Sequence, residues 1–86
     1  MSVPMVEVGT DIPAWVRAAS RALAERGLVD VAAEQANTAH LARGLQVILA
    51  QEMERGYVMA PVSVGGFRRV GNRLVARLRL KGALYV

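Results

Sequence analysis

Residues 67–81 read Phe67-Arg68-Arg69-Val70-Gly71-Asn72-Arg73-Leu74-Val75-Ala76-Arg77-Leu78-Arg79-Leu80-Lys81, and from Arg73 onward their period is two. Leu74, Ala76, Leu78 and Leu80 fall on one side of an extended chain, with Arg73, Val75, Arg77, Arg79 and Lys81 on the other. Such alternation predicts a strand with one face in a core and a cationic opposite face. Gly71-Asn72 is a two-residue turn signal, which predicts a hairpin. With that turn, Arg68 stands opposite Val75 and joins Arg73, Arg77 and Arg79 on one face.

Working outward from this hairpin, Tyr57 to Val64 is β-branched and aromatic around Pro61, and Gly65-Gly66 reads as another chain reversal. Lys81-Gly82 can turn the chain again into Ala83–Val86. Residues 57–86 are therefore expected to form a basic antiparallel meander of three or four strands. On the other side, Met1 to Gly9 alternates around Val6 and Val8, which suits an arm or a short edge strand.

Residues 10–56 read as helical. Thr10 or Asp11 can cap a helix that Pro13 helps to start and Gly27 ends, with Ile12, Trp15, Val16, Ala19, Ala22 and Leu23 on its buried face. Asp30 is expected to cap a second helical stretch reaching Arg55, either unbroken or divided at Asn37-Thr38, with Thr38 as the new cap in the divided case. Its apolar stripe is Leu41, Leu45, Ile48, Leu49 and Met53. Gly44 costs this helix about 1 kcal/mol relative to Ala, which points to a close approach by another backbone. The expected fold is α+β in a single domain, with two or three N-terminal helices packed on the C-terminal meander.

Charge is divided unevenly along the chain. Pro61 to Val86 holds six basic side chains and no acid, a net +6, whereas the first sixty residues hold five Arg against seven acids, a net −2. That bipolarity points the basic end toward an anionic partner, either nucleic acid or an acidic protein surface. Arg68, Arg73, Arg77, Arg79 and Lys81 are the candidate contacts, spaced along a strand so that they can track phosphates. The bland alternative is a solvated, charged sheet face that discourages unwanted pairing. Aromatic residues for base stacking are scarce there, with Phe67 and Tyr85 alone in the segment.

Composition removes several chemistries. With no cysteine, the chain has no disulfide, thiolate metal site or Cys nucleophile. His40 is the sole histidine and lacks companions for metal binding or catalysis, and Ser2, Ser20 and Ser63 lack a nearby base. A helix-turn-helix built from Ser20–Arg26, Gly27 and 30–37 would have a recognition helix with an acid and no base, leaving Gln35 and Asn37 to read base edges. No enzyme activity, cofactor or metal is expected. No apolar run is long enough to span a membrane, and the N-terminus has no basic start followed by an apolar stretch, so synthesis in the cytoplasm is expected. At 86 residues and 53% hydrophobic, the chain carries more apolar side chains than so small a domain buries, which suggests subunit interfaces.

Ala60-Pro61-Val62-Ser63-Val64-Gly65-Gly66-Phe67-Arg68-Arg69, following the 38–55 helix, resembles a segment of the tail-completion or neck proteins of long-tailed bacteriophages. In that family a long helix gives way to Ala-Pro-Val, two variable residues, Gly, and a hydrophobic-basic sequence that opens a strand. Ser63-Val64 stands where the family has an acid and a threonine, and fewer residues follow than the family's further strands require. The resemblance implies a non-catalytic virion subunit that forms a ring at the head-to-tail joint, with itself and other virion proteins as partners. The alternative reading is a small nucleic-acid-binding regulator or inhibitor that uses the Arg-rich hairpin.

Overall fold

The computed structural model describes residues 2–55 and 62–80, with the side chains of 51–55 outside the description. The chain is α+β: β1 (Met5–Glu7), α1 (Ile12–Arg26), β2 (Leu28–Glu34), a 3₁₀ turn (Gln35–Asn37), α2 (Thr38–Arg55), β3 (Val62–Val70) and β4 (Arg73–Leu80). The strands form one mixed sheet in the order β1-β2-β4-β3. β1 runs parallel to β2, while β2 and β3 both run antiparallel to β4.

The first helix follows its sequence signals. The Asp11 carboxylate accepts from the Ala14 amide at 3.1 Å, and Gly27, at φ 81°, closes the helix by donating its amide to the Leu23 carbonyl. Trp15, Val16, Ala19 and Leu23 are buried as the periodicity predicts. The edge strand also appears where alternation placed it. Pro4 sits just before β1, where its carbonyl accepts from the Asp30 amide and its missing N–H costs the ladder nothing.

Residues 28–34 overturn the helical reading of 10–56. Asp30 caps no helix; it lies in the middle of a strand whose Val29, Val31 and Ala33 face the helices. The second helix begins only at Thr38, whose hydroxyl donates to the Gln35 carbonyl. The sheet is therefore not a C-terminal meander, because half of its strands come from the N-terminal part of the chain. A helix-turn-helix is likewise removed, since its proposed recognition helix is β2 and the 3₁₀ turn.

The core lies between the helices and one sheet face. Val8, Trp15, Val16, Ala19, Leu23, Leu41, Leu45 and Ile48 pack with Val29, Val31, Ala33, Ala76 and Leu78. Leu49, expected in the apolar stripe of α2, is 40% exposed, so among the described side chains the stripe narrows to Leu41, Leu45 and Ile48, with that of Met53 outside the description. Gly44 is buried, but what approaches it is the Trp15 indole, a side chain and not the backbone expected from sequence. Trp15 Nε1 is buried without a hydrogen-bond partner among the described residues, so ring packing holds this side chain.

The β3–β4 hairpin turns at Gly71-Asn72 as expected, with Gly71 at φ 61° and Val70 opposite Arg73. Gly65-Gly66, read from sequence as a second reversal, instead lies inside β3. There Val64 pairs with Leu78 and Phe67 with Ala76, three residues of β3 spanning two of β4. The extra residue makes a β-bulge opposite Arg77, and a Cβ at Gly65 would stand 3.1 Å from the Arg77 carbonyl oxygen. The expected extended run before Val62, Lys81, the Lys81-Gly82 turn and a strand over Ala83–Val86 lie outside the described residues.

Candidate functional site: the arginine face

No helix covers the second face of the sheet among the described residues, and period two assigns its side chains. β4 contributes Arg73, Val75, Arg77 and Arg79; β2 contributes Leu28, Asp30, Ala32 and Glu34; β1 adds Met5 and Glu7. From β3 come Ser63, Arg68 and Val70. Arg68 stands opposite Val75, the register that the two-residue turn predicts. Four of the five candidate basic residues thus share this face; the fifth, Lys81, lies outside the described residues.

Most of these arginines are already engaged. Arg77 grips Asp30 with two prongs, Nε to Oδ1 at 2.8 Å and Nη2 to Oδ2 at 3.1 Å. Arg68 donates to the same Oδ2 at 3.1 Å, and Arg73 reaches Glu7 at 3.0 Å. Forked, charge-assisted bonds of this kind are the strong class of hydrogen bond and fix guanidinium orientation. Asp30 is 3% exposed, and the three bonds it accepts offset the cost of removing a carboxylate from water. The guanidinium of Arg77 leads in holding the Asp30 carboxyl below its ordinary pKa, against the upward pull of burial and with further help from Arg68. In return, Asp30 raises the Arg77 pKa.

Geometry explains why this face is dry beneath its charges. Arg68 on β3 crosses over β4 to reach Asp30 on β2, and Arg73 on β4 crosses over β2 to reach Glu7 on β1. Each bridge spans about 10 Å, two inter-strand spacings. Long aliphatic arginine stems that cross a strand can cover small apolar residues beneath them. Val75 is 1% exposed and Ala32 0%, although neither is on the side the helices cover.

The electrostatics differ from the row of free cations that the C-terminal sequence suggests. Against Arg68, Arg73, Arg77 and Arg79 the same face carries Glu7, Asp30 and Glu34, so four positive charges meet three negative ones. Arg79, exposed beside Arg77, has no ion pair with another described residue. Sequence reasoning missed Asp30 as part of the site because its partners are 38 and 47 residues away. The available signal was the alternation of Val29, Val31 and Ala33.

Other candidate chemistry does not converge. Among the described residues no group of three or more His, Cys, Asp or Glu could hold a metal ion. His40 is half-buried on α2, and the Ser63 hydroxyl donates to the Arg79 carbonyl at 3.4 Å. A shallow depression at the hairpin end is lined by Glu34, Gln35, Ala36, Val70, Asn72 and Arg73, with no nucleophile and base side by side. No described helix is long and apolar enough to cross a membrane. The chain matches no family model, no curated protein and no solved structure.

Proposed function

We propose that this chain is a non-enzymatic assembly protein that works as a homo-oligomer, as a virion subunit at the head-to-tail joint of a tailed bacteriophage. The observation that carries the assembly reading is the position of the exposed apolar side chains. Val64, Phe67 and Val70, three of the six large hydrophobic residues exposed among those described, stand on the edge strand β3. An exposed apolar edge strand is a ready template for another chain. The bacteriophage setting rests on the Ala60–Arg69 resemblance; a long helix, α2, precedes a strand over Val62–Val70, which agrees with that pattern.

Size-exclusion chromatography with light scattering, read at 260 and 280 nm, tests the proposal. A nucleic-acid-free multiple of the 9.3 kDa chain supports it. A monomer at all concentrations overturns it.

A second reading has one observation in its favour: Arg68, Arg73, Arg77 and Arg79 share a face and could contact phosphates together with Lys81. The carboxylates that already hold three of them weaken this case. A peak that carries nucleic acid until salt removes it would favour the second reading.

A further inference from the structure

We infer that Arg68, Arg77 and Arg79, gathered beside the glycine bulge of β3, bind one phosphate dianion, either free or as a terminal monoester. The inference does not rest on the assembly reading. It departs from the nucleic-acid reading in taking a single phosphate instead of a row of them. The site follows from the register. On the arginine face, β3 places Ser63 opposite Arg79 and Arg68 opposite Val75, and between those rungs, beside Arg77, it has only Gly65 and Gly66. A Cβ at Gly65 would stand 3.6 Å from the Arg77 Cβ, which puts any side chain at that position on Arg77's own face. Glycine there leaves a notch against the Arg77 side chain. Arg79 follows two residues along β4, about 7 Å away, and Arg68 is the diagonal neighbour on the other side.

These guanidinium groups keep donors in reserve. Arg77 grips Asp30 through Nε and Nη2, one edge of its planar group, and the Nη1–Nη2 edge is left for a second acceptor. Arg68 gives Asp30 a bond from Nη2, which leaves Nε and Nη1. Arg79 is exposed and makes no ion pair with another described residue. The cluster is also layered by charge. The Arg68 and Arg77 side chains are 47% and 32% exposed, whereas that of Asp30 is 5% exposed, so the cations lie outermost and the acid beneath them.

Charge selects the ligand. Three guanidinium groups less one carboxylate leave a net +2, which a phosphate dianion neutralises and a single carboxylate or phosphodiester does not. The planar forks of arginine match the oxygen spacing of phosphate. Asp30 is the positioning residue of the site. By holding Arg77 through two bonds and Arg68 through one, it fixes their planes before a ligand arrives, so less side-chain freedom is lost on binding.

The test follows the arginine Nε–H signals of the isotope-labelled protein by nuclear magnetic resonance while inorganic phosphate is added at constant ionic strength. Saturable shifts at Arg68, Arg77 and Arg79, and not at Arg17, Arg21 or Arg43, are expected. Arg79→Ala should weaken binding about tenfold or more with unchanged circular dichroism, because that side chain makes no ion pair with another described residue. Asp30→Asn raises the net charge of the site, so attraction by charge alone predicts tighter binding; the held planes predict weaker binding, which is the expected result. A tighter complex overturns the positioning role of Asp30. A 5′-phosphorylated oligonucleotide and its unphosphorylated twin separate the sources: preference for the former over inorganic phosphate assigns the site to a terminal monoester, and the reverse to free phosphate. No response to phosphate or to the phosphorylated strand overturns the site and leaves the assembly reading standing. Equal binding of both oligonucleotides without a response to inorganic phosphate also overturns it, in favour of the nucleic-acid reading.

Discussion

The Trp15 indole occupies the space that any side chain at Gly44 would need. This contact ties α1 to the backbone of α2, and it makes a glycine the fitting residue in the middle of a helix. We expect Gly44→Ala to destabilise the protein by about 1–3 kcal/mol, the usual cost of overpacking, although alanine alone favours the helix by about 1 kcal/mol. Urea denaturation of the two proteins decides the matter. A more stable Gly44→Ala chain would show that the two helices do not meet in this way.

The apolar stripe of α2 can be tested by contrast along one helix. Leu45→Ala and Ile48→Ala should each cost about 2–5 kcal/mol, because both side chains are in the core. Leu49→Ala, at a 40% exposed position, should cost less than about 1 kcal/mol. Equal losses at all three positions would contradict the narrowed stripe.

Asp30 gives the fold a signature in acid. Its carboxyl pKa is lowered in the folded chain, chiefly by the hydrogen bonds from Arg77. A lowered folded-state pKa stabilises fully above the unfolded-state value near 3.8, and that contribution is lost as pH falls through the folded-state value. Asp30→Asn should therefore be less stable than wild type at pH 7, by about 1–2 kcal/mol after allowance for solvent around the arginines. The difference should shrink below pH 4. Chemical denaturation of both proteins at pH 7, 5 and 3 measures it, and a pH-independent gap would argue against the charged bridge.

The nucleic-acid reading has its own quantitative outcome. If Arg68, Arg73, Arg77 and Arg79 each neutralised a phosphate, log K would fall with log salt with a slope of about −4. With three of the four already bound to carboxylates, we expect a far shallower slope, about −1 to −2, for any binding of duplex DNA. Fluorescence anisotropy at several salt concentrations, with Arg73→Ala, Arg77→Ala and Arg79→Ala, measures this. A steep slope abolished by those substitutions would restore the hairpin as a phosphate-binding surface.

Much of this architecture is written locally. Asp11 and Gly27 delimit α1, Gly71-Asn72 sets the hairpin, and the leucine and arginine alternation of β4 divides its two faces. The strand β2 was harder to see because Leu28–Glu34 sends conflicting signals. Asp30 before Val31-Ala32-Ala33-Glu34 resembles a cap opening an alanine-rich helix. What makes it a strand lies elsewhere: β4 pairs along its whole length, and Arg68 and Arg77 claim its carboxylate. Tertiary context overrides a weak local preference there. Gly65-Gly66 is ambiguous for a related reason, since a glycine pair suits both a reversal and a bulge.

The strand order also governs how the molecule comes together. Its two middle strands, β2 and β4, are separated in sequence by the whole of α2 and β3. The centre of the sheet therefore forms by closing a long loop, a step that carries an entropic cost before any contact rewards it. A fragment ending at Asn72 would have β2 without its inner neighbour and β3 without the strand it pairs with among the described residues, and Asp30 and Glu7 would lose Arg77 and Arg73. We expect such a fragment not to fold, and a single protease cut in the Gly71-Asn72 turn to endanger the whole sheet. The helices and the strands are thus one cooperative unit, locked by β4.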